Sequence, residues 1–515
     1  MKRNFGRRLG VSAAITIAAI ATQLSVSVAI AHPAAAHTAK AGKKTTSTTK
    51  KKKKPSVVRA ALPAGSIQHI FVIELENSSE NVTFGAGDAG SYLDDTLEKQ
   101  GELVPRFYAS GHASLDNYIA AVSGQAPAPA TASDCLAEPG VSGEDPVFEN
   151  VEPGTLANQK KYPGQVTATS GCVYPKDVET IANQLDAQYG VNKKTGLAPW
   201  RDYQQDMGND PKRDGGVTDP LGGTDCAHPA IGQPNDTNSA ESAADSSTGV
   251  ADQWALRHDP FGWFHSILDN TKLCDKNRVP LGDVQVATNS TFDGTHLANT
   301  FTGHLADDLK SVSTTPMFGW ITPNLCNDGH DGGSSPCIGP NADGQTTVAG
   351  QQLQNINAFL EQWVPLLEAS PAYKQGHMLI MITTDEAEVP AGGTVQDASQ
   401  LPGVPGGPSL AEPGLGDQLL YQALGLGTLT TDPANAPGGG EVGALILGSK
   451  KYIKHGSVDT KGAYDQYSAL RSYEDLLGIT KGGRDGEGHL GYAGLSDLKP
   501  FGKDVFNAYK APKTQ

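Results

Sequence analysis

Beyond its first 31 residues this 515-residue chain lacks any apolar run approaching the ~20 residues that a membrane-crossing helix needs, so a multi-span helical membrane protein is excluded. It also lacks any CxxC pair among its six cysteines, which argues against a thiolate zinc site. Aromatic residues make up only 6% and no basic amphipathic helix is evident, so little in the chain suits a lipid surface. Positive charge is scarce outside the N-terminus. Residues 1–54 hold 12 of the 40 Lys and Arg and no Asp or Glu, leaving 28 basic against 56 acidic residues, a balance of −28. Neutralising phosphate backbones takes basic clusters, so nucleic acid is not an expected partner.

What is present begins with a targeting segment. Lys2, Arg3, Arg7 and Arg8 precede an apolar and small-residue stretch from Val11 to about Ala31, and Ala29-Ile-Ala31 and Ala34-Ala-Ala36 offer small-x-small cleavage signals. We expect residues 1–37 to be a signal peptide, the plain alternative being a single uncleaved anchor. Export makes the mature chain secreted or extracellular, with no stable membrane insertion after cleavage. Residues 38–60 form a Lys/Thr/Ala linker whose Lys50–Lys54 block repels itself and is expected to be disordered. The block suits association with an anionic cell wall, or simply a solvated tether. Disulfides are expected in an exported chain. Short loops favour Cys135–Cys172, Cys226–Cys274 and Cys326–Cys337, although six cysteines allow 15 pairings.

Residues 61–510 read as one α/β domain with insertions at about 133–165, 206–252 and 389–441, each rich in Gly and Pro or in small polar residues. Helical spacing covers 92–100, 180–188, 298–312, 351–367 and 468–477, the last stopping at Gly478. Apolar runs at 284–288, 317–322 and 442–447 read as strands, alternating with the helices in a layered α/β/α fold with a mainly parallel central sheet.

Two further runs carry the chemistry. Ile67-Gln-His-Ile-Phe-Val-Ile-Glu-Leu75 ends in Glu76-Asn77, and Met378-Leu-Ile-Met-Ile-Thr-Thr384 ends in Asp385-Glu386. Buried parallel strands deliver ligands beyond their carboxyl ends, and these two ends pool three carboxylates and an amide oxygen. Such donors suit a divalent metal ion, and point to a metal-dependent hydrolase. The plain alternatives are a turn after the first strand and a helix N-cap at Asp385.

A nucleophile is available in Gly111-His-Ala-Ser-Leu-Asp-Asn-Tyr118, where Ser114 lies just before a predicted helix whose N–H groups can assist an anion, or where it merely caps that helix. The ordered set Glu74-Leu-Glu-Asn77, His112-Ala-Ser114 with Asn117-Tyr118, Thr180-Ile-Ala-Asn-Gln-Leu-Asp186, His258-Asp-Pro-Phe261, Thr322-Pro-Asn-Leu-Cys-Asn-Asp-Gly-His-Asp331, Thr384-Asp-Glu386 and Tyr464-Asp-Gln-Tyr-Ser468 resembles the bacterial and fungal phosphoesterase family of secreted acid phosphatases and phospholipases C. That family is similar to the alkaline phosphatase superfamily, so an alkaline-phosphatase-like fold is implied. Carried over by position, the resemblance implies that Glu76, Asn77, Asp385 and Glu386 bind a divalent metal ion. Ser114 is then the nucleophile through a phosphoserine. His330 is a second-metal ligand or a donor to the phosphate or leaving oxygen, and Asn117 and His112 are phosphate donors. One departure stands out: where the family pattern has His within Tyr-Asp-His-Tyr-Ser, this chain has Gln466. His455 and His489 lie near the C-terminal motif, within reach of the site, although exposed loop histidines are the plainer reading.

The resulting expectation is a phosphatase acting on small phosphate monoesters. A phospholipase C or other phosphodiesterase ranks second on the acidic balance and low aromatic content. A non-catalytic cell-surface binding protein is the alternative that Gln466 and the Lys-rich tether would support.

Overall fold

The computed structural model describes residues 57–85, 91–111, 113–128, 130–135, 147–151, 164–166, 170–285, 300–329, 348–387 and 439–507. The expected signal peptide, most of the Lys-rich linker, His112, His330, Cys337 and nearly all of the 389–441 insertion lie outside them. The described residues fall within one compact unit, Ser56–Gln515.

Eight strands build one sheet: β1 His69–Leu75, β2 Gly101–Val104, β3 Trp200–Gln204, β4 Arg278–Pro280, β5 Phe318–Thr322, β6 Met378–Thr384, β7 Ala444–Gly448 and β8 Ser457–Val458. Their spatial order is β8-β2-β7-β6-β1-β5-β3-β4. Seven run the same way, and only β7 opposes its neighbours β6 and β2. The expected mainly parallel sheet is therefore present, with β1 and β6 side by side at its centre.

Period-two alternation explains why these runs are apolar throughout. Ile70 and Val72 of β1 join one core while Phe71 and Ile73 join the other, on opposite faces of the sheet. The first core takes in Leu115 and Ile119 of helix α1 (Ser114–Ser123), Ile181 of α2 (Ile181–Tyr189) and Leu470 of a C-terminal helix; the second takes in Phe359 and Trp363 of α3 (Val348–Ala369). The C-terminal helix, α4, spans Gln466–Leu476 and is followed by Gly478 at φ 75°, the expected glycine stop. At Gly319 in β5 a Cβ would lie 2.4 Å from the Phe71 ring, so glycine is what lets β5 pass that side chain.

Three elements depart from the sequence reading. The segment predicted as a helix over 298–312 contains a strand, Thr300–Thr302, and among its described residues only His304–Asp308 is helical. Gly303, at φ 101°, separates the two, and the Thr-Phe-Thr composition favours the pleated form. The predicted strand at 284–288 appears as Asp283–Gln285, paired with Thr300–Thr302 outside the main sheet. The helix predicted over 92–100 winds as a π-helical turn, Leu93–Leu97, and then a 3-10 turn, Glu98–Gln100.

The end of the linker is also folded. Arg59 pairs with Asp475 at 2.6 Å, and the Ala60 N–H donates to the other oxygen of the same carboxylate at 2.7 Å. Disulfides Cys135–Cys172 and Cys226–Cys274 form as expected, and Cys326 is also disulfide-bonded. No helix among the described residues is long and apolar enough to cross a membrane.

Candidate active site

The carboxyl ends of β1, β5 and β6 meet at the centre of the sheet. The β1 and β6 ends are laced together by Asp385 N–H to Leu75 O (2.9 Å) and Thr384 Oγ1 to Ser78 O (2.7 Å). Just past β1 the backbone turns at Asn77, whose φ of 36° is left-handed, a conformation Asn tolerates better than most residues. The Asn77 N–H donates to Asp385 Oδ1 at 3.0 Å, so the two strand-end pairs are in contact.

Glu76 is the hub. Its Oε2 accepts the Ser114 hydroxyl at 2.9 Å and its Oε1 accepts the Tyr118 hydroxyl at 2.6 Å. Ser114 and Tyr118 are one turn apart on α1, so a single helix face presents both hydroxyls to one carboxylate. His258 bridges Glu76 to Asp328, its Nε2 lying 3.2 Å from Glu76 Oε2 and its Nδ1 3.3 Å from Asp328 Oδ2. The Tyr118 ring stacks on His258 with centroids 5.5 Å apart. Asp328 comes from the loop after β5 and its carbonyl accepts the Glu76 N–H at 2.8 Å. Gly329 follows at φ 105°, where a Cβ would meet the Ile356 side chain at 2.7 Å, which fixes glycine beside Asp328.

The turn before Ser114 is strained. Ala113 sits at φ 98°, a rare and costly position for a residue with a Cβ. It is held from two sides: its N–H donates to Glu386 Oε2 at 3.2 Å, and its carbonyl accepts from Asn117 Nδ2 at 3.2 Å. Asn117 also accepts the N–H groups of Ser110 (2.8 Å) and Gly111 (3.0 Å) and donates to Gly111 O (2.8 Å). Both of its amide protons are thus committed to backbone carbonyls. In this structure Asn117, expected as a phosphate donor, braces the Ser114 turn. Ser114 is itself the first helical residue, so it does not precede the helix and the cap falls on Ala113.

Gln466 has a structural task at the position where the family pattern carries His. Its Nε2 donates to Asp385 O at 3.2 Å and its Oε1 accepts the Ser110 N–H at 3.1 Å, joining the acidic strand end to the serine turn. The substitution Gln466→Ala is expected to lower kcat roughly 10- to 100-fold through misplacement of Ser114, without unfolding the chain. Steady-state kinetics beside a circular dichroism spectrum would check this, and an unchanged kcat would count against the positioning role.

Negative charge accumulates here in a group of buried acids. Glu74, Glu76, Asp116, Asp328 and Asp385 are all buried. Burial first, then Asp385 and Asp328, pushes the Glu76 carboxyl well above its ordinary range, against the opposing pull of the Tyr118 hydrogen bond and Arg257. Burial and then Glu386 push Asp385 up to about 8. Glu74 and Asp116 are raised in the same way, by burial and then by neighbouring carboxylates. Asn77 Oδ1 and Asp385 Oδ2 receive no hydrogen bond among the described residues, and neither oxygen of Asp116 does. A buried acidic cluster of this kind is stable only if it holds protons or a cation. One atom each of Glu76, His258 and Asp328 lie within 4.8 Å of one another, close enough to share an ion. The donor set of carboxylates, an amide oxygen and an imidazole therefore fits a divalent metal ion.

Of the expected residues, Ser114, Glu76, Asn77 and Asp385 converge, Glu386 supports Ala113, and His112 and His330 lie outside the described residues. His258 and Tyr118 join the site without having been assigned a role, and so does Asp328, whose participation the sequence left open against a plain turn. His489 is not an exposed loop residue; it is buried between Asp475 and Asp485, remote in its bonding from Glu76.

No family model matches the chain, and no curated protein matches it. Similar solved structures do exist. One is a protein in the alkaline phosphatase superfamily from Vibrio parahaemolyticus, 12% identical, with 84% of this chain and 72% of that chain covered at a TM-score of 0.39. A second is the lipoteichoic acid synthase LtaP from Listeria monocytogenes, 10% identical over 85% of this chain and 76% of that one, TM-score 0.35. Murine ectonucleotide pyrophosphatase/phosphodiesterase 5 is a third, 12% identical over 84% of this chain and 99% of that one, TM-score 0.33.

Proposed function

We propose that the chain is a secreted, metal-dependent phosphoesterase, an acid-type phosphatase that hydrolyses small phosphate monoesters through a phosphoserine at Ser114. The observation that carries this reading is the Ser114 hydroxyl bonded to Glu76 at 2.9 Å inside a cluster of buried, incompletely partnered acids. Glu76, Asn77, Asp385 and Glu386, joined by His258 and Asp328, are the proposed holders of the cation. When bound, a divalent ion supplies the positive charge that lowers the serine pKa and neutralises phosphoryl oxygens.

The chain's own groups do the rest. Glu76 Oε2 accepts the Ser114 proton as Oγ bonds to phosphorus, the P–O bond to the leaving group breaks, and that proton passes to the departing oxygen. Tyr118, donating to Oε1, keeps that carboxylate aimed. The strained Ala113 turn projects the hydroxyl from the start of a ten-residue helix, whose N-terminal end favours an anion. Water then hydrolyses the phosphoserine and frees Ser114. The disulfides support export, and the Lys50–Lys54 block suits an anionic cell-wall polymer.

A substrate panel separates this reading from its competitors. With divalent metal present, p-nitrophenyl phosphate should be hydrolysed faster than bis-p-nitrophenyl phosphate, phosphatidylcholine or p-nitrophenyl sulfate. Faster turnover of the diester or lipid would make the chain a phosphodiesterase. Preference for the sulfate would make it a sulfatase, and no turnover of any with metal bound would favour a binding protein.

A further inference from the structure

A second group of buried acids lies elsewhere in the fold, and the proposed reaction does not use it. Residues Val217–Thr218 and Thr224–Asp225 form a short antiparallel hairpin. Its turn is closed by Asp219 N–H to Gly223 O (3.1 Å) and Gly222 N–H to Asp219 O (3.2 Å). Asp219 Oδ1 accepts the Leu221 N–H at 2.6 Å, which aims Oδ2 out of the turn and onto His304 Nε2, with which it is in direct contact. Asp225 stands beside it at the hairpin's end. Asp225 is only 9% exposed, and its Oδ1 receives no hydrogen bond among the described residues.

One carboxylate oxygen from each aspartate and one imidazole nitrogen lie within 4.8 Å of one another. Two buried carboxylates at that separation repel, and one imidazolium can balance only one of them. Arg201, a cation whose charge acts on Asp225, is already paired with Asp308 at 3.0 Å, while Asp275 adds further negative charge. We propose that Asp219, Asp225 and His304 bind a divalent transition-metal cation of the zinc class, at a site separate from Ser114. Two carboxylate oxygens with one imidazole suit zinc better than calcium or magnesium, which seldom take nitrogen.

Both halves of the site are built in advance. The hairpin runs directly into Cys226, which is bridged to Cys274, and the Cys226 N–H donates to Arg278 O of β4 at 2.9 Å. His304 opens the short helix His304–Asp308, which is held by Leu305 N–H to Leu281 O at 3.3 Å. Gly282 and Gly303 pack so closely there that a Cβ on Gly303 would lie 2.3 Å from Gly282 Cα. The His304 side chain keeps 21% exposure, which leaves a path for the ion and a position for water. Bound metal would join chain segments about 80 residues apart and fasten the hairpin to the edge of the sheet beyond β4.

The test uses the full chain carrying Glu76→Gln and Asp385→Asn, so that zinc at the Ser114 site does not contribute. Calorimetric titration with Zn²⁺ should still find one equivalent. Adding Asp225→Asn and His304→Gln should abolish it with the circular dichroism spectrum unchanged. No zinc bound before the added changes would mean that the two aspartates share a proton beside His304. An equivalent surviving the added changes would place the metal elsewhere, and either result overturns the proposal. Zinc-edge anomalous diffraction on the unmodified chain is the second measurement. A peak among the three side chains is expected whether or not the phosphatase reading holds, and its absence also overturns the site.

Discussion

Ser114→Ala should lower turnover of a phosphate monoester by ~10⁴-fold or more, because the atom removed is the one that would bond to phosphorus. The loss should be catalytic and not structural. Among the described residues Ser114 makes one side-chain hydrogen bond, to Glu76, and that carboxylate keeps Tyr118 and His258 as neighbours. Losing a single buried hydrogen bond costs about 1 kcal/mol, which a chain of this size tolerates. The variant should therefore melt close to the parent, still bind divalent metal, and still bind phosphate. Full activity in Ser114→Ala would remove the serine from the mechanism.

Chelation should abolish turnover and leave a chain whose stability falls as pH rises. The sign comes from the buried acids. The Asp385 carboxyl is raised from 3.8 to about 8 by burial and then by Glu386. Across that window the folded chain holds a proton that the unfolded chain has released, so the free energy of unfolding falls with each step up in pH. One such group contributes a slope of about 1.4 kcal/mol per pH unit. Glu74, Glu76 and Asp116 are raised in the same direction by burial and by their acidic neighbours. Urea unfolding of chelator-treated protein should give a clearly lower midpoint at pH 8 than at pH 5.5. Restoring the divalent ion should raise the pH 8 midpoint, since the ion takes the place of the protons. Equal midpoints at both pH values, insensitive to metal, would mean that the acidic cluster is neutralised some other way.

The sheet was legible where its strands are apolar on both faces. His69–Leu75 and Met378–Thr384 carry alternating side chains into two cores, so neither run has a polar stripe to obscure it. Trp200–Gln204 was missed because Arg201, Asp202 and Gln204 break the apolar pattern. Each is buried and paired: Arg201 with Asp308, and Gln204 with Asp202 and Trp254. A strand whose polar groups are satisfied by tertiary partners looks like a loop in sequence.

Within the site, the two strand-end pairs were legible because acids directly after buried strands have few structural uses. Tyr118 could have been found from its position one turn after Ser114 on the same helix face. His258 could not: it lies in an irregular stretch, and only folding brings it between Glu76 and Asp328. The bracing by Asn117 was hidden because its residue type suits a phosphate donor, while its four hydrogen bonds to the backbone of residues 110–113 exist only in the folded turn. Gln466 was read as a defect for a similar reason. A missing histidine is visible in sequence, but the bridge from Ser110 to Asp385 is not.

The central claim is that Ser114 becomes covalently phosphorylated during turnover. Metal-loaded protein mixed with p-nitrophenyl phosphate, quenched in acid within the first turnover and digested, can be read by mass spectrometry. The peptide containing Ser114 should carry one phosphate, and the same peptide from Ser114→Ala should carry none. Hydrolysis proceeding at full rate with no phosphate ever found on Ser114 would contradict the account.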